Sequence, residues 1–379
     1  MTELLRTDCF TPPKLCYNLP DFRDGLTPVQ RKIIWNLKRM KLSNKGNYQR
    51  SSIVVHECGG EWDEMHDHWV DGKSEEIYDN IANMTQSQNA HALIDGHGNF
   101  GHCHLDGNAA APRFTAVKLS RFCEEGMLKY CKSSKNMPES LFARVPGCLI
   151  MGTHTVSNGF VSRVPSHNLC EIINAMLAML DNPDIILEEI LRYIEGPDFI
   201  NGGVIINENE LAQIYKYGQG RLRIRGKTKI ETDKNGIKTI VITEIPETMR
   251  GKVKSFIDDV TYLSKYGIIE GIEDVKDLSL FQTRIEIILN ETANPEEIMK
   301  LLFEKTNLED EIDCQFILME DGLPCRMSLL NILSKHLDYY RSILKNKYGN
   351  MYNDELLRRE LLKIFYKYGT PRKTEIINV

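Results

Sequence analysis

LTPVQRKIIWNLKRMK, residues 26–41, carries the strongest fold signal of the chain. Thr27 can cap a helix, Pro28 suits its first turn, and apolar residues follow at helical spacing. These apolar residues are Val29, Ile33, Ile34, Leu37 and Met40. The stretch therefore predicts an amphipathic helix with one apolar face and one basic face.

A second helix is predicted next along the chain, at about 74–87, with Ser74 as its cap. Two short helices followed by an apolar, turn-rich stretch predict a helix-turn-helix module with a β wing. Residues 91–112 are rich in glycine and are predicted to form a loop. Further helices are predicted at about 115–132 and 167–181.

The second half of the chain mixes strand and helix signals. From about 202 to 290, β-prone runs alternate with turns, and the turn at 233–236 predicts a hairpin. Residues 328–346 and 354–368 have apolar seams at helical spacing on either side of a polar break. They predict an antiparallel helical hairpin, so the whole chain is expected to be an α+β multidomain protein.

Composition and charge narrow the class of protein. At 379 residues, with 42% hydrophobic and 26% charged residues, the chain is expected to form two or three globular domains. It has no long apolar run and no secretion signal, and its ten cysteines are scattered, so a cytoplasmic location is expected.

The net charge of −6 opposes nucleic-acid binding, but residues 1–55 carry ten Lys/Arg against four acids. This basic head indicates a phosphate-binding face or, alternatively, only a solvated helix.

Six short segments occur in the order known from one family. They are LPDFRDGLTPVQRK at 19–32, IDGHGNFG at 94–101, AAAPRFT at 109–115, GPDF at 196–199, EIP at 244–246 and YGTPRKT at 368–374. Together they resemble the A-type subunits of DNA gyrase and topoisomerase IV and the related bacteriophage subunits. The resemblance implies the DNA-binding and cleavage subunit of a type IIA DNA topoisomerase.

Such a subunit cuts DNA with a tyrosine that forms a reversible ester with a backbone phosphate. An adjacent arginine offsets the charge that develops on the phosphate oxygens. The resemblance places this pair at Arg113 and Phe114, where phenylalanine stands in the tyrosine position. Phenylalanine has no oxygen, so the chain is expected to bind DNA without cutting it. Either a deliberate change or a natural pseudoenzyme would explain this residue.

The resemblance also implies DNA contacts away from the nucleophile position. Arg31 and Lys32 match a basic pair that contacts phosphates, and Arg50 precedes the recognition helix. His66 and His68 resemble a histidine-rich turn that faces the cleavage site. The spacing of these two histidines is also compatible with a metal site, or with ordinary positions on the protein surface.

An apolar side chain that wedges between base pairs is a further feature of the family. Counting back from the PSHN segment at 165–168 places Val156 at this wedge, with Phe160 as a substitute. The alternative is that both side chains only pack within a β-hairpin.

The sequence contains neither a strand-linked Asp-x-Asp pair nor a phosphate-binding loop for ATP, and Glu309–Asp313 is interpreted as a solvated acidic surface. The family's organisation implies that Mg²⁺ and ATP are held by a separate B-type subunit with Toprim and ATPase domains. The expected partners are duplex DNA, a second copy of this chain and that B-type subunit, in a heterotetramer.

The expected domains are a winged-helix-type DNA gate at 1–150, a tower at 151–325 and a shortened antiparallel coiled-coil arm at 326–379 that lacks the globular insert of the relatives. The cell is expected to be bacterial or phage-infected. The rival interpretations are a non-cleaving architectural DNA clamp and a helix-turn-helix regulator. The sequence does not distinguish supercoiling, relaxation and decatenation.

Overall fold

The computed structural model describes residues 18–59, 73–86, 91–101, 108–131, 137–157, 159–234, 236–279 and 282–377. The α-helices in these ranges are α1 Pro28–Arg39, α2 Ser51–Gly59, α3 Lys73–Thr85, α4 Arg121–Gly126, α5 Gly147–Met151, α6 Leu169–Asp181, α7 Leu187–Ile190, α8 Glu208–Tyr217, α9 Val253–Lys265, α10 Pro295–Lys305, α11 Leu329–Tyr348 and α12 Asp354–Tyr368.

The strands are β1 Gln49–Arg50, β2 Ile94–His97, β3 Ala116–Leu119, β4 Thr153–Ser157, β5 Phe160–Val164, β6 Val204–Ile205, β7 Gln219–Arg225, β8 Lys227–Thr232, β9 Lys238–Glu244, β10 Ile272–Asp277, β11 Ile285–Leu289, β12 Glu309–Gln315, β13 Ile317–Glu320, β14 Leu323–Arg326 and β15 Glu375–Ile376. The α+β class predicted from the sequence is therefore confirmed.

The N-terminal module packs α1, α2 and α3 beside a three-stranded antiparallel sheet of order β1-β3-β2. Helix α1 begins as predicted, because the side chain of Thr27 accepts a hydrogen bond from the Gln30 amide and that of Gln30 accepts one from the Thr27 amide. The apolar stripe of α1 faces the core. Helix α2 was not predicted, and the helix predicted at 115–132 was wrong in its first half, where the chain forms β3.

A six-stranded sheet of order β15-β6-β7-β12-β5-β4 is the largest of the sheets in the described residues. The buried side chains of this sheet, of the N-terminal module and of helices α6, α8, α11 and α12 form one continuous hydrophobic core. A second core lies entirely between residues 240 and 308. It joins the four-stranded sheet β10-β11-β9-β8 to α9 and α10.

The two cores divide the chain differently from the three ranges expected from the sequence. The chain leaves the six-stranded sheet after β7, builds the second core, and returns as β12, which pairs with β7 in antiparallel register. Within 151–325, the buried residues before 226 and after 309 belong mainly to the first core, and those from 240 to 308 belong mainly to the second.

Helices α11 and α12 occupy the ranges predicted from their apolar seams, and those seams are buried in the first core. Helix α12 packs mainly on α6, and α11 contacts α6, α7 and α8. The two helices are therefore held against the body of the molecule, and the shortened coiled-coil arm at 326–379 stays a prediction. None of the described helices is both long enough and apolar enough to span a membrane.

Candidate nucleic-acid interface

The segment 109–115 is held in place by hydrogen bonds to the helices beside it. The hydroxyl of Tyr78 donates to the Ala110 carbonyl and lies 3.0 Å from Thr115 Oγ1. That Oγ1 atom is 2.8 Å from Ser51 Oγ, and the Ser51 amide donates to the Thr115 carbonyl at 2.9 Å. The start of α2 and the middle of α3 thus fix both ends of the segment.

The glycine-rich loop 94–101 supports the same segment from another side. The Ala110 amide donates to the Asn99 carbonyl at 2.8 Å. Gly98 has φ +106°, and a Cβ built on it would lie 2.9 Å from the Phe114 carbonyl oxygen. A side chain at position 98 would therefore be strained and would push on the backbone of Phe114.

Phe114 ends a short 3-10 helix, Pro112–Phe114, and its side chain points into solvent. The residue is 66% exposed, although its side chain is large and apolar, and the Arg113 guanidinium carbon lies 4.6 Å from the ring centroid. Arg113 is exposed as well. The geometry therefore presents an aromatic side chain and a cation together on a fixed backbone.

A polar face of the three-stranded sheet runs up to this segment, and it was not predicted from the sequence. Tyr48 donates its hydroxyl to Asp95 Oδ2 at 2.9 Å, and Lys118 Nζ lies 4.3 Å from the Tyr48 ring centroid and 3.7 Å from Asp95. The His97 ring centroid is 5.6 Å from that of Tyr48. Desolvation, followed by the Asp95 carboxylate, raises the pKa of Tyr48. The period-two spacing of Asp95 and His97 was the available signal.

The residues predicted to bind phosphate differ in how far their side chains are exposed. Arg31 is buried and forms a two-bond ion pair with Asp24, at 2.7 and 2.9 Å, and also donates to the Leu26 carbonyl. The donors of Arg31 are therefore used within the chain, and its contact with DNA stays a prediction. Lys32 is half-buried. Arg50 is exposed and pairs across the ladder with Ala116, two residues beyond Phe114.

The histidine prediction falls largely outside the described residues. His66 and His68 lie outside them, as do His102 and His104. Among the residues that are described, no group of three or more His, Cys, Asp or Glu side chains is placed to hold a metal ion.

Strands β4 and β5 form a hairpin, and the two wedge candidates, Val156 and Phe160, have different surroundings on it. Val156 is 61% exposed and pairs with Val161, which is 36% exposed, on the outer face. Phe160 instead packs against a small apolar cluster that contains Leu19 and Ile317. Of the two candidates, Val156 therefore has its apolar side chain available, and Phe160 has the packing role that was the alternative.

The acids at Glu309–Asp313 do not form an open acidic surface. They lie on β12, opposite the arginines of β7. Glu309 accepts from Arg223 and from Arg225, and Glu311 forms longer ion pairs with Arg221 and Arg223. The cross-strand pairs neutralise much of the charge on both strands.

Comparison with known proteins decides the family. The model of the family described as the A subunit of DNA gyrase/topoisomerase IV matches residues 18–378. The chain belongs to this family. Its membership agrees with the resemblance seen in the six segments.

Individual gyrase A subunits are similar to this chain over most of its length. The chain is 33% identical to the chloroplastic/mitochondrial DNA gyrase A subunit of Nicotiana benthamiana, over 87% of its own length and 36% of that protein. It is 34% identical to the DNA gyrase A subunit of Leptospira biflexa, over 86% of its length and 39% of the relative. The corresponding values for the Thermotoga maritima protein are 31%, 87% and 41%. The chain thus spans well under half the length of these relatives.

Proposed function

We propose that the chain is the DNA-gate subunit of a type IIA DNA topoisomerase, in a form that binds duplex DNA but does not cut it through position 114. The observation that carries the proposal is the pair Arg113–Phe114, which is exposed on a segment that hydrogen bonds hold in place. In this proposal the N-terminal module acts as a winged helix that receives the duplex.

The chemistry of the gate requires an oxygen nucleophile beside a cation. A tyrosine hydroxyl would attack a backbone phosphorus, form a 5′-phosphotyrosine bond and release a 3′ hydroxyl that later reverses the step. The guanidinium of Arg113 would offset the charge on the phosphate oxygens. Phe114 supplies the ring and the position but no oxygen, so the covalent route through this residue is closed.

Two further cations, the exposed Arg50 and the half-buried Lys32, extend the proposed binding surface. Arg50 and Lys32 would contact phosphates without reading sequence, so the affinity should fall as salt rises. Val156, on strand β4 of the β4–β5 hairpin, would enter the duplex and favour a bend. Val156 suits this role because its side chain is apolar and exposed on the outer face of the hairpin.

The proposed assembly contains two copies of this chain and a B-type subunit that holds Mg²⁺ and ATP. The two position-114 side chains would then face the two strands of one duplex. We place this complex in a bacterial or phage-infected bacterial cytoplasm.

The test restores the missing oxygen. Phe114→Tyr, mixed with the B-type subunit, Mg²⁺, ATP and supercoiled DNA, should give covalent protein–DNA complexes when denaturant is added, and should relax supercoils. Phe114→Leu is the matched control, because it changes the same exposed side chain without adding a hydroxyl. Absence of covalent complex from Phe114→Tyr, with both proteins folded and DNA bound, would refute the assignment as a cleavage subunit.

An architectural clamp is the second candidate, and the phenylalanine at position 114 favours it. A clamp would bind and bend duplex DNA in the absence of the B-type subunit. It would also give no covalent complex after Phe114→Tyr, so the same experiment separates the two functions.

A further inference from the structure

The exposed ring of Phe114 is costly in water, because a large apolar side chain gains free energy when it leaves solvent. At 66% exposure it is far more open than the apolar residues of the core. Its backbone is fixed, since the Phe114 amide donates to the Ala111 carbonyl at 2.8 Å and Thr115 is bonded to Ser51 and Tyr78. A fixed exposed ring loses little conformational entropy when a partner covers it.

The charged residues around the ring indicate what kind of partner would cover it. Arg113 lies against one side of the ring, and Arg50 is exposed on the neighbouring strand. Asp95, on the same sheet face, is already paired with Lys118 and Tyr48. A second copy of this surface would bring like charges together, which is unfavourable. The combination of a flat apolar ring with cations suits a nucleic-acid base flanked by phosphates.

We propose that Phe114 is a stacking platform for a DNA base, and that it gives the chain a preference for duplexes interrupted by a gap over intact duplexes. This inference rests on the proposed function, since it assumes that DNA reaches the gate. In an intact duplex both faces of each base are covered by neighbouring bases. Next to a gap one face is free, and the ring of Phe114 can cover it without any cost of unstacking.

The absent hydroxyl fits this role. Phenylalanine keeps the aromatic face that stacks on a base, and it carries no phenol oxygen that would be directed at a phosphate. Arg113 adds a planar guanidinium, which itself stacks on aromatic rings and also binds phosphate. The two adjacent side chains thus provide one surface for a base and one for the backbone that carries it.

The experiment compares two DNAs with identical ends, one intact and one with a two-nucleotide gap that is flanked by 2-aminopurine. Affinity is measured by anisotropy at one salt concentration, and stacking is measured by quenching of 2-aminopurine fluorescence. The wild-type chain should bind the gapped DNA more tightly and quench the probe. Phe114→Ala should lose about 5- to 150-fold in affinity for gapped DNA, together with the quenching, as expected for one base–aromatic stack.

Three variants act as controls. Phe114→Trp should keep the preference, and Phe114→Leu, which is apolar but not aromatic, should lose the quenching. Tyr217→Ala removes another exposed aromatic with an adjacent cation, Lys216, from helix α8, and should change nothing. Because both positions are exposed, these variants are expected to fold, and circular dichroism checks that they do.

The outcomes separate the inference from the proposed function. Equal losses on intact and gapped DNA, or no loss on either after Phe114→Ala, would overturn the stacking platform while leaving DNA binding established. Failure of the wild-type chain to bind either DNA at low salt would instead count against the proposed function itself.

Discussion

At the scale of single residues, the ion pair between Arg31 and Asp24 holds the beginning of α1 to the loop before it. Asp24 is fully buried, and it also accepts hydrogen bonds from the amides of Leu26 and Leu141. A buried carboxylate with this many donors stays satisfied only while each partner is present. The pair therefore supports the N-terminal module.

Arg31→Ala is predicted to destabilise the protein by about 3–5 kcal/mol, because it leaves the Asp24 carboxylate buried without its cation. The measurement is the free energy of unfolding in urea. Lys45→Ala, which removes an exposed cation near the same helix, should change that free energy by less than about 0.5 kcal/mol. If Arg31→Ala unfolds like wild type and weakens DNA binding instead, the structural role is wrong.

Residue-level features that depend on local chemistry could be predicted from the sequence, and features that depend on a distant partner were missed. The cap of α1 by Thr27 needs only residues within one turn, and it is confirmed. The burial of Arg31 depends on how Asp24 folds back onto α1, which helical spacing does not reveal. The face with Tyr48 and Lys118 was missed because β1 and β3 are brought together from positions far apart in the sequence.

At the scale of elements, Val156 and Phe160 lie on the same β4–β5 hairpin but are predicted to have different roles. Val156→Ala is predicted to leave stability within about 0.5 kcal/mol of wild type, because the side chain is exposed. It should reduce the bend of bound DNA, as measured by energy transfer between dyes at the duplex ends. Phe160→Ala should cost about 1.5–3 kcal/mol of stability, because that ring packs against Leu19 and Ile317.

The comparison of Val156→Ala with Phe160→Ala tests this prediction about the hairpin. A Val156→Ala variant that unfolds more easily, with the DNA bend unchanged, would show that Val156 packs rather than wedges. Phe160→Ala should be compared only at temperatures where the variant is folded, so that loss of bending is not mistaken for loss of structure.

Element prediction from sequence succeeded for long helices and failed for short strands. Helices α6, α11 and α12 have caps and apolar seams over many residues, and their ranges match the structure closely. Strand β3 has only four residues and is defined by pairing with β1 and β2 on its two sides. Such pairing is non-local, so the pattern around 115–132 was interpreted as one helix.

At the scale of the whole molecule, buried charges tie the C-terminal helix α12 to the N-terminal half. Glu360 accepts from Arg144 at 2.8 Å, from Tyr130 at 2.7 Å and from Lys129 at 2.6 Å, and Lys363 pairs with its other oxygen. Burial alone would raise the pKa of Glu360, but these donors together lower it to about 2. The charged form of Glu360 is therefore favoured by folding.

A group whose pKa is lower in the folded state stabilises that state above its unfolded pKa and loses this effect as it is protonated. Glu360 should therefore contribute fully above about pH 4.5, and the contribution should disappear as the pH falls towards about 2. Glu360→Gln should lower stability at pH 7 by about 1.5–3 kcal/mol, as for a hydrogen bond to a charged group, and should flatten this part of the pH profile.

The measurement is urea unfolding at a series of pH values between about 2 and 7, the window that the lowered pKa of Glu360 defines. Glu355→Gln removes an exposed carboxylate from the same helix and should leave the profile unchanged. An unchanged profile for Glu360→Gln would mean that other carboxylates govern the acid transition.

The expected domain ranges follow the order of the chain, whereas the two hydrophobic cores do not. The sequence favoured three consecutive ranges, because the residues of β7 and β12 lie far apart along the chain. In space these strands are neighbours in one sheet, and the 240–308 core is inserted between them. Only the pairing of strands across the insertion reveals that the residues on both sides belong together.

The chain returns to the six-stranded sheet next to the strand from which it leaves. This arrangement offers protein engineers a place at which the intervening residues can be removed. Arg225 and Glu309 face each other in the ladder, so their backbones are about 5 Å apart, a gap that a two-residue turn such as Asn-Gly spans in ordinary hairpins. Residues 226–308 could thus be cut out and the ends joined, which would turn β7 and β12 into one hairpin. A miniaturised scaffold of this kind would keep the exposed aromatic platform and the buried Glu360 cluster, and would shed the second core.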